Sequence, residues 1–111
     1  MDDQGWLAVL PAAELPEGKA VRVELEGVVD LFLYRTPERV YALANHCNHA
    51  GGPLHKGLIG RMSGDPTVTC PIHGSLFRLT DGRVLRGPAM RAQPVFDARV
   101  HDGQVEIRDR A

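Results

Sequence analysis

The sequence contains only two cysteines among its 111 residues, Cys47 and Cys70. Such a pair cannot build the dense disulfide framework of small secreted domains, and in a reducing compartment it is more often a metal or redox site than a disulfide. A surplus of basic residues is also missing, since thirteen Lys and Arg face fourteen Asp and Glu. This balance argues against the counterion-driven binding that nucleic-acid proteins use, so no nucleic-acid partner is expected.

Long hydrophobic runs are absent too, because no stretch reaches the roughly 18 apolar residues that a membrane-spanning helix needs. The amino-terminal segment MDDQGWLAVL carries two acidic residues where a secretory signal is basic, and Pro11 interrupts its apolar stretch. We therefore expect a cytoplasmic protein without a membrane partner. With 43% hydrophobic and 24% charged residues, the composition is that of a folded chain, and the length predicts one domain over residues 1–111.

Hydrophobic residues recur with a period of two, which is typical of β-strands. Strands are predicted at residues 19–26, 28–35, 40–44, 67–70, 76–79, 95–100 and around 105–107. Asp81-Gly82 and Asp102-Gly103 are hairpin signals. The one helical candidate, residues 12–15, is bounded by prolines and allows a single turn. The pattern predicts an all-β domain of short antiparallel strands with one long irregular insertion at about 45–66.

The chemistry-bearing residues lie in this insertion and in the turn that follows it. Cys47-Asn48-His49 and Cys70-Pro71-Ile72-His73 each supply one thiolate and one imidazole. Residues i and i+2 of an extended segment face the same way, so Cys47 and His49 can point inward together. Four such ligands fit either a structural zinc ion or a two-iron, two-sulfide cluster. The spacing is unusual for zinc, and the apolar strands suffice to fold without it, which favours iron.

The two motifs and their surroundings resemble the Rieske iron–sulfur proteins, and in particular the small soluble Rieske-type ferredoxins. The resemblance is carried by a set of residues that extends over most of the chain: Glu17-Gly18, Cys47-x-His49, Gly51, Gly52, Pro53, Leu54, Cys70-Pro71-x-His73-Gly74, Phe77, Gly82 and Gly87-Pro88-Ala89. It implies a Rieske-type fold, that is, an antiparallel β-sandwich or barrel with a two-loop cluster-binding subdomain, the loops lying at about 45–57 and 70–78.

The resemblance also implies the cofactor and its ligands. Cys47 and Cys70 would bind the inner iron as thiolates, and His49 and His73 would bind the outer iron through a ring nitrogen, giving one [2Fe-2S] cluster per chain. Glycines at 51, 52 and 74 would let backbone N–H groups approach the sulfides, and residues 87–89 would cover the cluster from the side.

The implied role is that of a one-electron carrier and not of an enzyme in its own right. Its expected protein partners are a flavin-dependent reductase and the terminal oxygenase of an aromatic-ring hydroxylating system, and a monomer is expected. An alternative is the small subunit of an NADH-dependent nitrite reductase. A hypothesis of another class is a zinc-stabilised interaction module without redox function.

Some positions depart from the family pattern. Gly52 and Ile72 occupy the sites of two further cysteines that high-potential Rieske subunits join in a disulfide, so that bond is impossible here. Ser75 matches a hydroxyl that donates to a sulfide in the high-potential group, whereas Phe77 stands where a second donor, a tyrosine, is expected. We therefore expect a midpoint potential near the lower end of the Rieske range of roughly −150 to +300 mV. The gap between the motifs is a few residues longer than usual, which leaves the path of residues 58–66 open.

The remaining polar residues are interpreted as ordinary. His46 and His55 flank the ligands and are expected to be solvated loop residues, and His101 is expected at the surface. Trp6 is expected to anchor an edge strand or the core. The arginines of the later half are interpreted as scattered surface charges and not as a patch for an acidic partner: Arg78, Arg83, Arg86 and Arg91.

Overall fold

The computed structural model describes residues 5–27, 29–48 and 51–110. The strands are β1 (Leu7–Pro11), β2 (Ala20–Leu25), β3 (Val29–Arg35), β4 (Val40–Ala44), β5 (Leu58–Met62), β6 (Asp65–Thr69), β7 (Leu76–Arg78), β8 (Val84–Arg86), β9 (Val95–His101) and β10 (Gln104–Asp109). Single turns of 3-10 helix occupy Ala12–Glu14 and Leu54–Lys56. No helix among the described residues is long and apolar enough to cross a membrane.

The larger sheet has six antiparallel strands in the order β1-β10-β9-β4-β3-β2. Its edge strands β1 and β2 contact each other, which makes the sheet nearly closed. The inner face is filled by alternate residues of these strands, together with Leu15 after the first 3-10 turn. This first core consists of Leu15, Leu31, Leu33, Val40, Ala42, Val105 and Ile107. The all-β fold class expected from the hydrophobic pattern is confirmed.

The smaller sheet has four antiparallel strands in the order β5-β6-β7-β8 and packs on the outer side of β3 and β4. Phe32 and Leu43 face this sheet because they alternate with Leu33 and Ala42, their neighbours that face the first core. The second core contains both cysteines and is formed by Phe32, Tyr41, Leu43, Cys47, Leu54, Val68, Cys70, Phe77, Leu79 and Ala89. Two-sided burial explains why β3 is apolar on both faces.

The prediction of one irregular insertion at about 45–66 is wrong. Residues 58–69 form a hairpin in which β5 pairs with β6, and Ser63 and Gly64 turn the chain with positive φ angles of 53° and 86°. The sequence of β5 shows no alternation of apolar and polar residues because most of the strand is exposed to solvent. Leu58, for example, is 76% exposed. The hairpin therefore accounts for the additional residues between the two motifs.

Two other local predictions are confirmed. The residues of Asp102-Gly103 turn between His101 and Gln104 with φ angles of 51° and 75°, as a two-residue hairpin requires. The predicted single turn after Pro11 is the 3-10 helix Ala12–Glu14. Val28, predicted as the first residue of a strand, lies outside the described residues, and β3 is described from Val29.

Candidate metal centre

The first loop, residues 45–57, leaves the end of β4 and folds back on itself around Cys47. The Cys47 N–H donates to the carbonyl oxygen of Gly52 at 2.9 Å, and the Gly51 N–H donates to the carbonyl oxygen of Cys47 at 2.7 Å. Gly51 has a φ angle of +70°, a conformation that favours glycine. These bonds turn the buried Cys47 side chain towards the second core. His49, the ligand predicted in this loop, lies outside the described residues.

The second loop, residues 70–75 of the predicted 70–78, connects β6 to β7 through an equally tight reversal. The Cys70 N–H donates to the carbonyl oxygen of Ser75 at 2.8 Å. His73 and Gly74 both adopt the left-handed conformation, with φ angles of 68° and 75°. The result is a buried Cys70 and an exposed His73 in the same turn.

The two loops bring the predicted sulfur ligands together. Cys47 and Cys70 are buried side by side in the second core, and the backbone N–H groups of Ile72 and Gly52 lie near the Cys70 sulfur. Burial raises the pKa of the Cys70 thiol, and the neighbouring Cys47 adds to that increase, whereas the two N–H groups oppose it. Two adjacent buried thiolates therefore need a cation between them, which a metal centre supplies.

The two cysteines fit together because Gly52, which packs against them, has no side chain. A Cβ atom at Gly52 would lie 2.6 Å from the Cys70 sulfur and 3.3 Å from the Cβ of Ile72. The sulfur is thus cradled directly against backbone, as close N–H donation to a thiolate requires. The same proximity places Gly52 and Ile72 side by side, where the high-potential pattern would have its disulfide.

A third loop, residues 86–93, closes over the side of the second. The Ala89 N–H donates to the hydroxyl oxygen of Ser75 at 2.9 Å, and both residues are buried. Since the serine oxygen accepts this bond, its own proton remains available to donate elsewhere. Phe77, two residues on, is fully buried in the second core and has no such donor.

Gln93 fastens the first loop to the third and was not singled out from the sequence. Its amide nitrogen donates to the carbonyl oxygens of Ala44 at 2.8 Å and His46 at 2.6 Å. Its amide oxygen accepts from the backbone N–H of Asn48 at 3.1 Å and from the Asn48 side chain at 3.0 Å. Gln93 is only 1% exposed, so these bonds are shielded from water.

The histidines that flank the ligands have partners of their own. The ring nitrogen Nε2 of His46 lies 2.6 Å from Oδ2 of Asp30. The other carboxylate oxygen of Asp30, Oδ1, accepts a hydrogen bond from Arg22 Nε at 2.9 Å. Burial of Asp30 alone would raise its pKa, but the hydrogen bonds from Arg22 and Asn45 outweigh burial and lower the pKa.

His55 is held by Asn45 and is partly buried rather than solvated. The His55 N–H donates to the Asn45 side-chain oxygen at 2.9 Å, and the Asn45 amide lies 2.9 Å from the ring nitrogen Nδ1. Burial lowers the pKa of His55, and Arg22 acts in the same direction. His46 is exposed, as expected, although it pairs with Asp30, whereas the expectation of a solvated His55 is wrong. In the part of the chain that the structure describes, no three His, Cys, Asp or Glu side chains are grouped as around a single metal ion.

Two other expectations about ordinary residues are confirmed. Trp6 is buried between the guanidinium groups of Arg99 and Arg108, which lie 4.1 and 4.4 Å from its ring centre, so it anchors the first strand. His101 is at the surface, with about half of its side chain exposed.

An all-β scaffold in which two buried cysteines meet between glycine-rich loops is the arrangement of an iron–sulfur protein. Residues 5–97 match the family described as Rieske [2Fe-2S] domain. The chain belongs to this family. The membership supports an iron–sulfur cluster as the cofactor.

Individual relatives refine the comparison. Ferredoxin CarAc from Metapseudomonas resinovorans is 30% identical over 105 residues, which cover 95% of this chain and 94% of that protein. Among solved structures, a chain of the complex between reduced oxygenase and oxidized ferredoxin in carbazole 1,9a-dioxygenase is 29% identical, with a TM-score of 0.80 and 98% of both chains covered. A protein described as an NADH-dependent nitrite reductase small subunit from Mycobacterium tuberculosis is 28% identical, with a TM-score of 0.82 and 96% of both chains covered.

Proposed function

We propose that the chain holds one Rieske [2Fe-2S] cluster through Cys47, His49, Cys70 and His73. The observation that carries the proposal is the burial of the two cysteines in one core, with the backbone of Gly52 directly against the Cys70 sulfur. Cys47 and Cys70 provide the thiolates of the inner iron, and His49 and His73 provide the imidazoles of the outer iron. The chain acts as a single domain over residues 1–111.

Each part of the site has a separate task in this proposal. The bound cluster takes up and gives away one electron at a time. The second core keeps water from the cysteine sulfurs, and the backbone N–H groups of the glycine-rich loops stabilise negative charge on them. His73 lies at the exposed tip of its turn, so a partner that contacts the second loop approaches the imidazole side and not the buried sulfur side.

The proposed role is a one-electron carrier between a flavin-dependent reductase and the terminal oxygenase of an aromatic-ring hydroxylating system. The likeness to Ferredoxin CarAc over nearly the whole of both chains supports this role, as does the likeness to a chain of the oxygenase–ferredoxin complex. The protein is then a component of an oxidoreductase system and not its catalyst. We place it in the cytoplasm, where a reductase that draws on NADH would find its cofactor.

A second candidate role is the small subunit of an NADH-dependent nitrite reductase. The structural likeness to the protein from Mycobacterium tuberculosis favours it, because the TM-score and coverage match those of the ferredoxin. The two roles share the cluster and differ in the partner that receives the electron. Electron delivery from the reduced protein to a purified oxygenase and to a purified nitrite reductase large subunit separates the two roles.

The cluster is tested on protein purified without oxygen. We expect a brown-red protein with two irons and two acid-labile sulfides per chain, which bleaches with dithionite and then gives a rhombic electron-spin signal. Cys70→Ser and His73→Ala should lose the cluster, whereas the matched control His101→Ala, at an exposed histidine of β9, should keep it. Colourless protein that contains zinc and no sulfide would overturn the proposal and leave a zinc-stabilised module.

A further inference from the structure

The three loops around the cysteines carry positive charge without negative charge. Residues 45–57, 70–75 and 86–93 include three cations, Lys56, Arg86 and Arg91, and not one Asp or Glu. All three cations are exposed. Within the described part of the chain, none of the three has an ion-pair partner. We call Lys56, Arg86 and Arg91 the basic ring.

The fold places each member of the basic ring beside one of the cysteine loops. Lys56 ends the 3-10 helix of the first loop. Arg86 pairs with Leu76, the residue after Ser75 in the second loop. The carbonyl oxygen of Arg91 accepts from the Asn48 side chain of the first loop at 2.9 Å. Residues far apart in the sequence thus surround the same end of the molecule.

The remaining charges do not cancel this arrangement. Asp81 forms an ion pair with Arg78, with 3.0 Å between Oδ1 and Nε. Asp30, next to the first loop, is paired with Arg22 and His46. Residues 45–93 contain six basic and two acidic side chains, whereas the rest of the chain contains seven basic and twelve acidic ones. The segment that holds the cysteine loops therefore carries a net charge of +4 and the rest of the chain −5, although Glu24 and Glu26 line a hollow with His46 of the first loop.

Two large apolar side chains lie exposed among these cations. Ile72 in the second loop is 41% exposed, and Met90 in the third loop is 93% exposed. An apolar centre surrounded by charges of one sign is the usual anatomy of a specific but transient protein contact. The cluster of the proposed function is formally neutral when oxidised, since two thiolates and two sulfides balance two ferric ions, and carries a charge of −1 when reduced. In neither state does it offset the three charges of the basic ring.

We propose that the basic ring, together with the exposed Ile72 and Met90, is the docking surface for a redox partner whose own contact face carries surplus Asp and Glu around an apolar patch. This inference rests on the proposed function, because it concerns the surface through which the cluster exchanges electrons. It corrects the interpretation of the arginines as scattered. Arg86 and Arg91 belong to the docking surface, whereas Arg78 is fixed by Asp81 and Asp65.

Small inorganic oxidants of opposite charge probe the electrostatic potential of the protein surface near the cluster, so the test needs no partner protein. In each reaction one electron leaves the reduced cluster and reduces one oxidant, either ferricyanide, an anion, or hexaammineruthenium(III), a cation. We expect the stopped-flow rate with ferricyanide to fall as the ionic strength rises from about 10 to about 300 mM, because salt screens an attraction. The rate with hexaammineruthenium(III) should rise. The net charge of −1 alone would predict the opposite signs.

Charge-reversal variants localise the effect. Arg86→Glu/Arg91→Glu should slow the ferricyanide reaction about tenfold at low ionic strength and reverse its salt dependence. The matched control is Lys19→Glu/Arg39→Glu, which changes the net charge equally at exposed sites at the other end of β3 and β4. It should change the rate by less than about twofold.

The outcomes separate the inference from the proposed function. If purified protein carries no cluster, both fail. If the cluster is present and reducible but the ferricyanide rate rises with salt, the basic ring is not the exit surface and the carrier function stands. If both double variants slow the reaction equally, only net charge matters, and the docking surface is refuted.

Discussion

Replacement of Gln93 by Met is expected to release the first loop from the third. Methionine has nearly the same shape but cannot hydrogen bond as the amide does, so the carbonyl oxygens of Ala44 and His46 and the N–H of Asn48 lose their partner. The Asn48 side chain keeps its bond to the carbonyl oxygen of Arg91. Three partly buried groups at ~1 to 1.5 kcal/mol each predict a loss of ~3 to 5 kcal/mol in the free energy of unfolding.

The loss should be visible in thermal unfolding. At about 4 °C per kcal/mol for a domain of this size, the midpoint of unfolding should fall by ~12 to 20 °C, measured by circular dichroism and by loss of visible absorbance. The control Gln104→Met, in the partly exposed β10, should change stability by less than ~0.5 kcal/mol. A Gln93→Met protein as stable as the control would show that water replaces these bonds without cost, and the clamp would be refuted.

Further predictions concern the glycine cradle, an ion pair and the cofactor. Gly52→Ala forces a methyl group 2.6 Å from the Cys70 sulfur and should lower the iron content, whereas Gly51→Ala, with nothing within 4 Å, should cost only the ~1 to 2 kcal/mol of its left-handed backbone and keep the iron. The guanidinium of Arg78 lowers the pKa of Asp81 to about 2, so the pair stabilises the fold above pH ~4 and the gain is lost as the pH falls towards 2. Since Asp81 is 45% exposed, Asp81→Asn should cost less than ~1 kcal/mol at pH 6, and this cost should shrink as the pH falls through 2 in acid titrations. Removing iron with a chelator under reducing conditions should leave the far-ultraviolet circular dichroism of the larger sheet but lower the unfolding midpoint; an unchanged midpoint would mean that the cluster does not stabilise the loops.

The strands that could be predicted are those with one or both faces buried. Residues 40–44 were predicted with the bounds that β4 has, because burial of both faces leaves a continuous apolar run. β5 and β8 were missed because their side chains are mostly or partly exposed, so neither alternation nor apolarity marks them. β1 was also missed, since Pro11 closes a segment too short to show a period. Boundaries elsewhere differ by one or two residues, as at β6 (Asp65–Thr69).

Only part of the candidate site could be predicted from the sequence. The motif spacing predicted that Cys47 and Cys70 share a site, and the structure brings them together. Ligation by His49 and His73 stays a prediction. Gln93 gives no signal in the sequence, because it stands in an irregular segment and makes its bonds to residues about 45 positions away. Hydrogen bonds of that kind follow from the packing of two loops and not from any local pattern.

The Gln93 clamp also bears on how fast the carrier can work. An electron moves quickly only when the atoms around the donor hardly rearrange as its charge changes. Loops tied down by buried amide bonds hold their dipoles in nearly the same orientation before and after the transfer. The slow step is then the meeting of two proteins, which selection can tune at the surface without disturbing the interior.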